Sequence, residues 1–218
     1  MRDERLRALE RRWRETGTAQ DEEAWLRERV RVGELGEERL GLRQALAQDH
    51  WSFPQQIMYA FSPCGPGSWQ RAAIAIAARV APRLLNEHPE VWQPQSWLSR
   101  AESFVVGRTV EPPVSFQFGP SMGDFEDVHH DIDFEAYERA CRDFASQEAW
   151  HAYQVLRLIR DLPEWSDVSE ATGVMTALDG VELASLLRAL REEVVPWLLG
   201  DSDPVRERVE ARWREARR

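Results

Sequence analysis

A glutamate followed three residues later by a histidine occurs twice in this chain, as Glu126–His129 and Glu148–His151. On a helix that spacing sets a carboxylate and an imidazole on one side. Di-metal helical bundles take ligands from two such motifs plus two further inward glutamates. Here the first motif falls in a stretch that reads as a loop, and the two further glutamates are not identifiable, so no metal and no cofactor are expected. Glu148 remains notable by itself. On a helical wheel for residues 134–162, Tyr137, Cys141, Phe144, Ala145, Ala152, Val155, Leu156 and Ile159 form an apolar arc with Glu148 inside it. A carboxylate there is either paired or pushed toward its neutral form. One reading is a core ion pair with an arginine from the stripe Arg71, Arg79 and Arg83; the other is a functional carboxylate, with His151 beside it.

Asp124, Glu126, Asp127, His129, His130, Asp131 and Asp133 form the densest set of potential ligands. They lack the central glycine and closing glutamate of a calcium loop. Two readings stay open: a solvated loop whose acids favour the following helix N-terminus, or an acidic recognition surface carrying a pH-sensitive histidine pair. The charge distribution bears on the second. Residues 121–185 hold 4 Arg against 15 Asp and Glu, a balance of −11 within a net charge of −10. The rest of the chain is nearly neutral, so one segment presents the acid, and it suits a basic partner. No Gly-rich phosphate loop, nucleophile elbow or Cys/His zinc pattern occurs, and the chain reads as a binding protein rather than an enzyme.

The composition sets further limits. The 218 residues are 43% hydrophobic and 30% charged, as in a folded globular protein. Every cation is an arginine, able to grip carboxylates with two hydrogen bonds. The net negative charge argues against nucleic acid as a partner. Cys64 and Cys141 are too few for a disulfide framework. The N-terminus has no apolar signal-peptide core, and the longest apolar run, Ala72–Ala78, is far short of a membrane span. A cytoplasmic protein without a membrane role is expected. The ten tryptophans read chiefly as core.

Periodicity predicts an all-α, multi-helix bundle. Three short helices over residues 1–48 form a charged N-terminal module, and residues 49–218 form the main helical domain. Residues 49–68 read as irregular. A core helix over 69–86 carries Ala73, Ile76, Ala77, Val80 and Leu84, with Pro82 expected to kink or end it. Helices follow over 94–106, 134–162, 168–178 and 179–199, the last kinked by Pro196. The Pro-rich segment 110–122 reads as a short strand or ordered loop. Asp201-Ser202-Asp203-Pro204 caps a final helix with Val205, Val209 and Trp213 on one face.

The run Trp69-Gln70-Arg71-Ala72-Ala73-Ile74-Ala75-Ile76-Ala77, then Val80, Pro82, Asn86-Glu87-His88-Pro89, Pro94, Trp97, Ala101-Glu102 and Gly107, resembles the helical immunity-protein domain found with bacterial polymorphic toxins. The N-terminal segment containing Arg11-Arg12-Trp13-Arg14-Glu15-Thr16-Gly17 and Asp21-Glu22-Glu23 is similar to a leader of uncharacterised helical bacterial proteins. The resemblance spans about half the chain and rests on helix-packing residues. It implies a non-enzymatic helical protein that neutralises a toxin, and it carries over no catalytic residue. Segments 110–120 and 121–135 depart from the pattern. Two other readings remain: a metal-dependent enzyme using Glu126, His129, Glu148 and His151, and a purely structural adaptor docking through residues 1–48.

Overall fold

The computed structural model describes residues 2–48, 51, 54–87, 93–107, 147–160, 162, 168–177 and 183–217. They form an all-α multi-helix bundle with no strand among the described residues. The N-terminal helices are α1 (Arg2–Thr16), α2 (Ala19–Val32) and α3 (Glu37–Ala47). Thr18 starts α2 by accepting the Asp21 amide on its hydroxyl at 3.2 Å. Gly33 ends it at φ 83°, a left-handed turn that a side chain would strain. Between α1 and α2, Asp21 takes hydrogen bonds from the Thr16 and Thr18 hydroxyls at 2.7 and 2.8 Å, and Arg12 adds an ion pair at 2.7 Å.

Segment 49–68 is not irregular throughout. Residues Pro54–Phe61 form α4, because Ile57, Met58 and Phe61 share a stripe that is wholly buried. A 3-10 turn over Ser62–Cys64 follows, and α5 (Pro66–Glu87) begins on a proline, where the missing amide costs nothing. This helix lies at the centre of the main core. Ala73, Ile76, Ala77, Val80 and Leu84 are buried as the spacing predicts. Pro82 neither ends α5 nor limits it, since the helix continues to Glu87. The proline is exposed, on the side where its ring and the carbonyl it frees can face water.

Around α5 stand α6 (Gln93–Val105), α7 (Gln147–Arg160), α8 (Val168–Thr176) and α9 (Leu183–Glu193). Ala152, Val155, Leu156 and Ile159 of α7 are buried, as the wheel placed them. The helix read over 179–199 is two elements, α9 and α10 (Val195–Leu199), parted at Val194, just before Pro196. Asp203 caps α11 (Pro204–Glu215), its carboxylate accepting the Arg206 amide at 3.1 Å.

Two apolar clusters result. The main one joins α3 to α11 through residues such as Leu46, Phe61, Ile76, Leu156, Leu190 and Val209. The smaller one holds Leu6, Trp25, Leu26, Leu35, Leu40 and Leu199, with Trp13 stacked on Trp25 at 4.5 Å. Helix α3 serves both, giving Leu40 to the small cluster and Leu42 and Leu46 to the large one.

Candidate functional site

The acidic stretch with Asp124, Glu126, Asp127, His129, His130, Asp131 and Asp133 lies outside the described residues, as does the segment read as a strand or loop over 110–122. The backbone of Glu148 lies in α7, but its side chain is outside the described set. His151 is partly buried one turn along the same helix. Among the described residues no group of three or more His, Cys, Asp or Glu is placed to hold a metal ion.

Of the arginine stripe on α5, Arg71 and Arg79 have partners among the described residues. Arg71 is held by Asp203, its two Nη atoms donating to the two carboxylate oxygens at 2.6 and 2.8 Å. Arg79 donates from Nε to the Ser185 hydroxyl at 3.1 Å. Arg71 is only 4% exposed. It stacks over the Trp197 ring at 4.4 Å and donates to the Val105 carbonyl at 3.3 Å. Burial pulls its pKa down, and the Asp203 carboxylate opposes that. Gly67 lies against the same indole: a Cβ there would meet the Trp197 ring at 3.4 Å, an ordinary van der Waals contact.

A second joint lies along the same helix. Glu102 on α6 is 1% exposed and is gripped from α11 by Arg208 at 2.8 Å and by Arg212 at 2.5 Å. Arg208 also reaches Glu193 on α9 at 2.7 Å. Burial raises the Glu193 pKa, with Arg208 pulling the other way. The two joints therefore tie α5, α6, α9 and α11 together through paired charges that are largely out of water. Each carboxylate already has its guanidinium, so the chemistry here is attachment, and removing the Asp203 carboxylate would leave the buried charge of Arg71 uncompensated.

Cys64 is half-buried, and burial together with Glu38 pushes its thiol up to about 11. At neutral pH the sulfur is protonated and poorly nucleophilic.

The cap at Asp203 is visible in the sequence, but its pairing with Arg71, 132 positions away, is not. Glu102 carried a usable signal. It lies on the inward arc of α6 with Leu98, Ala101 and Val105, the same kind of placement that singled out Glu148. Comparison with protein-family models, with curated proteins and with solved structures finds no significant match to this chain.

Proposed function

We propose that this protein is a non-enzymatic cytoplasmic binding protein that receives a basic protein partner on the acidic stretch 124–133. By its resemblance to immunity proteins, that partner is a toxin, and binding neutralises it. The observation that carries the reading is where the described arginines spend their charge. Arg29, Arg43, Arg71, Arg208 and Arg212 are engaged by Asp201, Glu22, Asp203, Glu102 and Glu193, all of them outside 121–185. These five cations are committed to acids outside 121–185, and this supports a segment that offers its surplus of acid to another molecule. No helix among the described residues is long and apolar enough to cross a membrane.

The test replaces Asp124, Asp127, Asp131 and Asp133 by Asn and Glu126 by Gln in one variant. The protein that co-purifies with the intact chain from its native host is isolated and titrated against both forms by calorimetry. A basic partner and an affinity loss of about a hundredfold or more are expected, since several rim charges are removed together. Equal affinity for both forms, or an acidic partner, would overturn the reading. Stoichiometric iron, manganese or zinc in protein purified without chelator would overturn the non-enzymatic part of it.

A further inference from the structure

Residues 194–215 reach both apolar clusters and both neighbouring sets of charges. Adjacent leucines of α10 go separate ways: Leu198 enters the main cluster and Leu199 the small one. The loop behind them divides its acids in the same manner. Asp201 stands 3.8 Å from Arg29 of α2, while Asp203 holds Arg71 of α5. From the other side, Arg39 of α3 donates to the Leu198 carbonyl at 3.4 Å. A helix of five residues has no stability of its own. Its position depends on being buried on one side and tethered on the other.

We propose that residues 194–215 form a clasp, a conformational device through which the α1–α2 hairpin and α11 open and close as one unit. Releasing Asp203 from Arg71 frees the loop behind α10, and Leu199 then loses the anchor that keeps it under Trp25 and Leu26. Releasing the hairpin uncovers Leu199, and α10 with the cap of α11 follows. Such coupling is reciprocal. A molecule that binds the released α1–α2 hairpin would loosen α11, and one that secures α11 in place would hold the hairpin shut.

Amide hydrogen exchange on the full chain tests this, because each opening reports its own free energy. In the unsubstituted protein, α2 and α11 amides should share one opening free energy, lower than that of α5. A common value for all three would mean that the molecule opens only as a whole, and would overturn the clasp. Asp203→Asn keeps the cap but weakens the grip on Arg71, and α2 amides should then exchange about tenfold faster or more. Unchanged α2 exchange would overturn the proposal. Leu199→Ala probes the opposite direction and does not touch the charged joint. It should speed α11 exchange by a similar factor, and unchanged α11 exchange would sink the idea even if Asp203→Asn does not fold.

Discussion

Arg71 and Asp203 form one pair, but their burial is unequal, and the two partners should not be equally replaceable. The Arg71 side chain is 4% exposed and that of Asp203 17%. Taking away the acid strands a guanidinium in the core, where Trp197 and the Val105 carbonyl cannot neutralise it. Taking away the arginine leaves an aspartate that still caps α11 and lies 3.7 Å from Arg206. Asp203→Asn is expected to cost about 3–5 kcal/mol, the usual penalty for orphaning a buried charge. Arg71→Met, which keeps an apolar stem of similar length, should cost less than half of that. Urea unfolding of both variants checks the ordering, and a larger loss for Arg71→Met would contradict it.

At the scale of elements, the α1–α2 hairpin rests on a small apolar cluster and on two buried carboxylates, Glu28, which pairs with Arg5 and Arg31, and Asp21. Hydrogen bonds from Thr16 and Thr18 lower the Asp21 pKa below 3.8, and Arg12 adds to them. A carboxylate whose folded pKa is depressed stabilises the fold above its unfolded value, and that contribution disappears as pH falls through the folded value. The hairpin should therefore be unaffected from pH 7 to pH 5 and loosen below about pH 4. The indole resonances of the stacked Trp13 and Trp25 would report the change, and Asp21→Asn should reduce its pH dependence.

Elements of this kind were well marked in the sequence. Thr18 and Gly33 bracket α2, and the apolar stripes of α5 and α7 fixed their buried faces. What escaped has specific causes. Helix α4 is two turns long and hemmed by Pro and Gly, so its Ile57, Met58 and Phe61 stripe was too short to outweigh the turn residues around it. That α5 runs past Pro82 to Glu87 is not legible in the sequence, because the exposure that makes the proline tolerable depends on how α5 is oriented in the bundle. The pairs Arg71–Asp203 and Arg208–Glu102 join positions that only tertiary folding brings together. Helical periodicity can identify which charges point inward, as it could have for Glu102, but not which opposite charge meets them.

For the molecule as a whole, the near balance of charge outside 121–185 contrasts with the surplus of acid within it. If that surplus guides a basic partner, its influence acts across water before contact and should be screened by salt. The association rate constant is expected to fall about tenfold or more between 20 mM and 500 mM NaCl, with little change in the dissociation rate. Stopped-flow mixing would measure it, and a rate indifferent to ionic strength would show that the segment does not steer encounter.

The separation between Arg71 and its acid also has a consequence in time. Synthesis proceeds from the N-terminus at roughly 5–20 residues per second, so Arg71 leaves the ribosome well before Asp203, which lies 132 positions later. During that interval α5, the helix at the centre of the main core, carries a guanidinium without the carboxylate it is buried against in the fold. Its charge keeps that face of the nascent helix wetted until the capping aspartate is made, which postpones final closure of the core and discourages neighbouring unfinished chains from sticking there.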